Sequence, residues 1–232
     1  GSEQFNKPYF DYRLDTLDKL QSDKRIYLCG DILEAANKQV GNASFRTDMT
    51  LDDQIDFAIK VFKPYRKDIV NMAIGNHEQR LVKEFDLDVN KIIARALKVP
   101  YGNQFLDTFQ VNGNKFTIYT AHGKGSSAHH HTAQSKMIRD TQHVLANMYM
   151  NGHNHRCDHF TVPHFVRTEE GKTVGRKHYV FTGSFLRYNG YAEQMQLPVL
   201  PEAFIQLAIN KDMRVSSTQF NIDETKPEYL EL

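Results

Sequence analysis

Four short motifs carry side chains suited to hold a divalent metal ion. In chain order they are Gly30-Asp31, Gly75-Asn76-His77-Glu78, Ala121-His122-Gly123 and Gly152-His153-Asn154-His155. Their polar groups are carboxylates, carboxamides and imidazoles, and none of the four contains a cysteine. This donor set suits a hard or borderline ion such as Mn, Fe, Zn or Mg, and it argues against a structural zinc site built from thiolates.

Each motif directly follows an apolar run that is typical of a buried strand. The four runs are residues 25–29, 69–74, 116–120 and 148–150. In open sheets, ligands gather beyond the carboxyl ends of the strands. We therefore expect the polar residues of the motifs to converge in one metal site. The expected ligands are Asp31, Asn76, His122, His153 and His155.

In this order and spacing, the motifs resemble those of the calcineurin-like metallophosphoesterases. The resemblance runs over residues 8–190, and residues 8–12 and 182–186 look most similar to phage and bacterial members. A single Gly-Asp after a strand is common by chance, so the ordered set of four carries the resemblance. It implies an α/β fold in which a two-sheet β-sandwich is flanked by helices (αββα), lacking its first strand, and an enzyme that hydrolyses phosphate esters.

The resemblance also implies which residues would hold two metal ions. Asp31 would bridge the ions; Asn76, His122 and His153 would join it around one ion, and His155 would join it on the other. Two ions clamp a phosphate, lower the pKa of a bridging water and stabilise charge on the attacking and leaving oxygens. Mn is the expected metal, with Fe, Zn or Mg as alternatives.

Substrate contacts are expected from residues beside these ligands. By the resemblance, His77 would face the phosphate and protonate the leaving group or stabilise charge, with Asn76 next to it. Arg80 could contact phosphate through its guanidinium, or could form a structural ion pair. Lys124 and His129 lie in the loop after His122, which could contact substrate or be a surface loop with a chelating histidine run.

The family's first motif, Asp-x-His at the end of the first strand, is absent. No histidine precedes position 77, and alignment on residues 8–10 places Ser2 and Gln4 where Asp and His would stand. Gly1-Ser2 is typical of a cleavage scar, which would make the missing strand a truncation. Alternatively the site is naturally degenerate, with Glu3 or Gln4 as weak substitutes. Both readings predict one well-formed metal position and one weak or empty position.

Length and composition fit one compact enzyme domain over residues 1–232, ending in a loose acidic tail at 221–232. No apolar run approaches the length needed to cross a bilayer, so no membrane association is expected. Two cysteines, Cys29 and Cys157, are too few for a disulfide framework, and a reduced, cytoplasmic setting is the simpler inference.

The charge distribution indicates an anionic substrate. Residues 114–190 contain 10 Lys and Arg against 4 Asp and Glu, a net charge of +6, whereas the whole chain has a net charge of +1. A phosphodiester is the expected substrate class, with a nucleic acid or nucleotide as a possible partner. The alternatives are a phosphomonoesterase or protein phosphatase, a non-catalytic metal- or phosphate-binding protein, and a solvated basic surface without a partner.

Local signals place several elements around the motifs. Thr50 and Asp53 form a capping box that opens a helix ending before Pro64. Asn112-Gly113 predicts a tight hairpin turn, because both residues tolerate positive φ. Further helices are predicted at 89–97 and 132–147, a hairpin turn at 170–171, and strands at 105–111, 115–120, 160–167, 173–182 and 203–209.

Overall fold

A computed structural model describes residues 5–35, 49–125, 129–169, 171–187, 200 and 203–221. Helices and strands alternate through the first half of the chain, and strands dominate the second half. The elements are α1 Lys7–Asp18, β1 Ile26–Leu28, α2 Leu51–Phe62, a 3₁₀ helix Lys63–Tyr65, β2 Ile69–Ala73, α3 Asn76–Phe85, α4 Val89–Leu97, β3 Tyr101–Gly102, β4 Gln104–Val111, β5 Asn114–Ala121, α5 His130–Thr141, β6 Met148–Asn151, β7 Cys157–Thr168, β8 Gly171–Ser184, β9 Ala203–Ile209 and β10 Val215–Asn221.

The strands form two sheets. The first is parallel, in the order β1-β2-β3, and the second has the order β10-β9-β8-β6-β5-β4, with β7 pairing along β8. Within the second sheet, β5, β6 and β8 run parallel to one another. Parallel strands end at the same edge, so the motif after β1 lies beside the motif after β2, and the motif after β5 beside that after β6.

Three apolar clusters separate four layers. One cluster joins the first sheet to α2, α3 and α4, a second lies between the two sheets, and a third joins the second sheet to α5. Successive side chains of a strand point to opposite faces, so strand β6 contributes to two clusters. Met148 and Met150 face the first sheet, whereas Tyr149 faces α5. The layers are therefore helices, sheet, sheet and helix, and the predicted sandwich flanked by helices is confirmed.

Three local predictions are confirmed in detail. The Thr50 hydroxyl accepts from the Asp53 backbone N–H at 3.2 Å, and the Asp53 carboxylate accepts from the Thr50 backbone N–H, which closes the capping box of α2. Asn112 and Gly113 both have positive φ, 49° and 80°, as the tight turn between β4 and β5 requires. The helix predicted at 89–97 matches α4 in both bounds.

Other bounds differ from the prediction. Helix α5 ends at Thr141 and not near residue 147, since the following backbone bonds close tighter turns and the Tyr149 hydroxyl takes the Val144 carbonyl at 2.7 Å and the Ala146 N–H at 3.1 Å. Strand β10 was not predicted; it is held by pairing with β9, from Val215↔Ile209 to Asn221↔Ala203. Most of the predicted acidic tail, residues 222–232, lies outside the described residues.

The start of the described chain is anchored to the end of β8. Phe5 forms an antiparallel bridge with Leu186, and the Asn6 backbone N–H donates to the Phe185 carbonyl at 2.8 Å. Between residues 5 and 35 the one strand of three or more residues is β1, while the positions aligned to Asp-x-His, Ser2 and Gln4, lie outside the described residues. Among described residues, no helix has the length and apolar character of a membrane span.

Candidate metal centre

The backbone at the strand ends adopts a conformation that L-residues rarely use. Asp31, His153 and His155 have φ values of 51°, 65° and 56°, in the left-handed region. Side chains with a Cβ are strained there, and such strain concentrates at functional sites. Three of the five predicted ligands therefore share an uncommon backbone geometry that turns each chain sharply at the edge of its sheet.

Two glycines allow the motifs to pack backbone against backbone. A Cβ on Gly30 would stand 2.6 Å from His122 Nδ1, and one on Gly75 would stand 2.1 Å from the Asp31 backbone nitrogen. Neither contact leaves space for a side chain, and Gly30 also has a φ of 87°. The close approach brings the ends of β1, β2 and β5 together around Asp31.

Four donor atoms converge beside these glycines. The Oδ1 atom of Asn76 lies 2.9 Å from His122 Nε2 and 2.8 Å from His153 Nδ1. The two imidazole nitrogens lie 3.0 Å apart, and Asp31 Oδ2 lies 3.2 Å from His122 Nε2. Ligands at about 2.0 to 2.2 Å from a shared ion stand roughly this far apart, so the four atoms fit one metal position.

The tautomer of His122 also fits a metal ligand. Its Nδ1 lies 2.7 Å from the carbonyl oxygen of Cys29, an acceptor, so Nδ1 carries a proton and donates it to that oxygen. In the neutral ring, Nε2 then presents a lone pair to Asn76 and Asp31. A second hydrogen bond of this kind fixes the orientation of a metal-binding imidazole.

Neighbouring charges and burial shift the pKa values of the residues in the cluster. Burial alone would raise the pKa of Asp31, but the hydrogen bond from His122 and the charges of His77 and His122 lower it to about 2. Burial would lower the pKa of His122, yet its hydrogen bond and attraction to Asp31 raise it above the ordinary value. The pKa of His153 is lowered, first by burial and then by the nearby His122.

These directions predict how metal affinity depends on pH. An ion needs the lone pair on His122 Nε2, and the raised pKa of His122 means that a proton competes for it near neutral pH. We expect Mn²⁺ affinity to be highest above that pKa and to fall by about tenfold for each pH unit below it. Titration calorimetry between pH 8.5 and 5.5 measures this, and an affinity that stays constant to pH 6 would contradict it.

His155 does not join the four donor atoms. Among the described residues, one group of three or more potential ligand residues has its ligand atoms within 4.8 Å of one another, and it consists of Asp31, His122 and His153. Burial lowers the pKa of His155, and the charges of Asp31, His77 and His122 also act on it. This histidine therefore lies near the cluster without belonging to it.

His77 faces the cluster from the first turn of α3. Its backbone N–H donates to Asp31 Oδ1 at 3.0 Å, and its Nδ1 lies 3.1 Å from the carbonyl oxygen of Glu34. Its Nε2 stands 3.9 Å from Asp31 Oδ2, which is near the donor atoms without belonging to them. This placement suits a group that acts on a substrate bound at the metal.

Two glutamates support the site, and the sequence reasoning assigned neither of them a role. Glu34 Oε1 lies 3.6 Å from His77 Nδ1, and burial raises the pKa of Glu34. Glu78 is fully buried, and its Oε1 accepts from the Leu33 backbone N–H at 3.0 Å. Burial and the charge of Asp31 raise the pKa of Glu78. The sequence signal for Glu34 was its position three residues after Asp31.

The predicted substrate residues lie at different distances from the cluster. Lys124 is exposed and lines a cavity with His153, Asn154 and Lys136, so it stands beside the metal centre. The pKa of Glu34 is raised by burial and lowered in part by the charges of His77 and Arg80, so Arg80 lies near this carboxylate, and its role stays a prediction.

His129 is the exposed N-cap residue of α5 and is not part of the metal-ligand group. Cys157 is also separate from the ligands, because it packs in the cluster between the sheets and burial raises its pKa to about 11.

Comparisons with known proteins add little at this level of similarity. The chain matches no protein-family model and no curated protein sequence. Among solved structures it is similar to Vps29 from Cryptosporidium parvum, at 9% identity over 90% of this chain and 88% of that chain, with a TM-score of 0.42. Zinc-complexed Vps29 from Entamoeba histolytica matches at 14% identity over 56% and 74% of the two chains, with a TM-score of 0.28. TM-scores this low leave function to be argued from the residues themselves.

Proposed function

We propose that this protein is a metal-dependent phosphoesterase whose preferred reaction is phosphodiester hydrolysis. The observation that carries the proposal is the convergence of Asp31 Oδ2, Asn76 Oδ1, His122 Nε2 and His153 Nδ1 at separations of 2.8 to 3.2 Å. These four atoms mainly offer lone pairs, and few hydrogen atoms lie among them to form hydrogen bonds. A cation at their centre would accept a lone pair from each atom. A bound divalent ion would supply an activated water and charge stabilisation.

The surrounding residues suit a phosphate ester. Helix α3 begins at Asn76, so the positive end of its dipole faces the cluster and favours a negatively charged group there. His77 Nδ1 donates to the Glu34 carbonyl, so Nε2 lies on the side of Asp31, and the imidazolium form of the ring would give the Nε2 proton to a leaving oxygen. Lys124 supplies a further positive charge at the edge of the site.

Two features indicate that the phosphoesterase activity of this chain is low. His155 stands apart from the four donor atoms, and positions 2 and 4 hold Ser and Gln where Asp and His are expected. Within the described part of the chain, a second ion would then have Asp31 and His155 as its expected ligands. A protein that binds metal or phosphate without turnover would share the same strong site, and a phosphomonoesterase would share the same chemistry.

We predict about one tightly bound divalent ion per chain, because one position has four donors and the other has two. Elemental analysis after dialysis against Mn²⁺ measures the number. Asp31→Asn should lower the bound metal well below one, since it removes the one negative charge among the four donors. The control is Asp86→Asn, the same chemical change at the exposed C-cap of α3, where φ is 53° and Asn is tolerated.

Two tightly bound ions would contradict this prediction and would show that residues outside the four donors complete the second position. Equal metal content in Asp31→Asn and Asp86→Asn would contradict the assignment of Asp31 as a ligand.

A further inference from the structure

The distal half of the β7–β8 hairpin presents a fully exposed face to solvent. Cross-strand register pairs Pro163 with Arg176, Phe165 with Val174 and Arg167 with Lys172. Alternation places these six residues on one side of the hairpin, and all six are exposed. We call this surface the distal hairpin face. The opposite side is more buried; Lys177, for example, lies 5.8 Å from the centre of the Tyr149 ring.

The distal hairpin face combines positive charge with apolar side chains. Phe165 is 72% exposed and Val174 is 60% exposed, although such side chains are usually covered. Three cations flank them, and none of the three forms an ion pair within the part of the chain that the structure describes. Lys172 Nζ lies 4.8 Å from the centre of the Phe165 ring, which fixes a cation beside the exposed aromatic.

We propose that the distal hairpin face binds single-stranded nucleic acid, with phosphates on the basic side chains and a base stacked on Phe165. Arg176 and Lys172 are four residues apart on β8, about 13 Å along the strand, so they bracket the Phe165–Val174 pair. Proteins that bind single strands without sequence preference combine basic grooves with aromatic stacking positions of this kind. An acidic protein surface would match the charge but would leave the exposed ring without a stacking partner.

The distance from the metal centre indicates the length of the ligand. Strand β7 begins two residues after His155, and Phe165 lies eight residues further on, about 26 Å along the strand. Stacked nucleotides rise about 3.4 Å each and extended ones more, so a chain that reaches both places has several nucleotides, about eight if it is fully stacked. A mononucleotide cannot span them. This last step rests on the proposed phosphoesterase function and makes a polynucleotide its substrate; binding to the hairpin does not depend on it.

The test measures binding of a fluorescently labelled 15-nucleotide single-stranded DNA by anisotropy, in EDTA and at several salt concentrations. Replacing Arg167, Lys172 and Arg176 by Gln should weaken binding and reduce the slope of log K against log salt by about 2, since each phosphate contact contributes about 0.7. Phe165→Ala should weaken binding about tenfold and leave the slope unchanged.

The matched control replaces Lys83, Lys91 and Arg95 by Gln. These residues are exposed on α3 and α4, and the net charge changes by the same amount. The control should bind DNA like the unaltered protein. Circular dichroism melting should show that the variants stay folded, because the altered side chains are all exposed.

Three results would overturn the inference: no DNA binding by the unaltered protein, equal weakening by the control, or competition by polyglutamate as strong as that by unlabelled DNA. The last would indicate an acidic protein partner. Because the assay contains EDTA, these results concern the hairpin alone. Failure of the phosphoesterase proposal would appear separately, as absent hydrolysis of a small phosphodiester by a metal-loaded protein that still binds DNA through the hairpin.

Discussion

Ser2→Asp combined with Gln4→His is expected to raise hydrolysis of bis(p-nitrophenyl) phosphate in Mn²⁺ by about 10²-fold or more. The two substitutions would supply the second metal position with a carboxylate and an imidazole, and an ion there is worth several kcal/mol of charge stabilisation. Phe5, the first described residue, bridges Leu186 just beyond the carboxyl end of β8. That end lies at the same edge as the end of β6, where Gly152-His153 begins.

The measurement has two readouts, rate and metal content. The metal content measured by elemental analysis should rise from about one ion per chain to about two. His122→Ala in the same background should remove the gain in both rate and metal content, since His122 belongs to the cluster. A single substitution, Ser2→Asp or Gln4→His, serves as the matched control and should give a smaller gain. If the unaltered chain already turns over strongly in Mn²⁺, a single-ion mechanism operates and the need for the missing motif is refuted.

In that active background, His77→Ala should lower the rate of hydrolysis by about 10² to 10⁴ while metal content stays the same. The reason is the position of the ring: Nε2 stands 3.9 Å from Asp31 Oδ2, outside the four donor atoms. If His77 donates a proton to the leaving oxygen, the loss should shrink for esters whose leaving group is a stable anion, because such groups need little protonation.

A comparison of p-nitrophenyl and phenyl esters separates the possible roles of His77. A similar loss for both esters would indicate charge stabilisation and not proton donation. A fall in metal content together with the rate would make His77 a ligand or a structural support, and a rate change below about threefold would make it a bystander. Glu34→Gln tests the positioning role, with a smaller loss expected, because the Glu34 backbone carbonyl still accepts from His77 Nδ1.

The sequence by itself determined the features that depend on neighbouring residues. The capping box at Thr50, the tight turn at Asn112-Gly113 and both bounds of α4 follow from local hydrogen bonding and backbone preference. The apolar runs predicted strands β1, β2, β5 and β6 closely, since burial on both faces needs continuous apolar residues. A motif at the end of each run then predicted that Asp31, Asn76, His122, His153 and His155 would meet, and all of them except His155 lie in the cluster.

Only the tertiary structure decided the contacts between residues far apart in the chain. The hydrogen bond that sets the tautomer of His122 is donated to the Cys29 carbonyl, 93 positions away, and every residue has such a carbonyl, so the sequence does not indicate which one accepts. Strand β10 was missed because its residues are mostly polar and exposed, and pairing with β9 holds it in place. Strands at 160–167 and 173–182 were predicted from the sequence, but only their register places Phe165, Arg167 and Lys172 on one exposed face. Strand registers and long-range contacts depend on how whole layers pack together. Local residue preferences do not determine that packing.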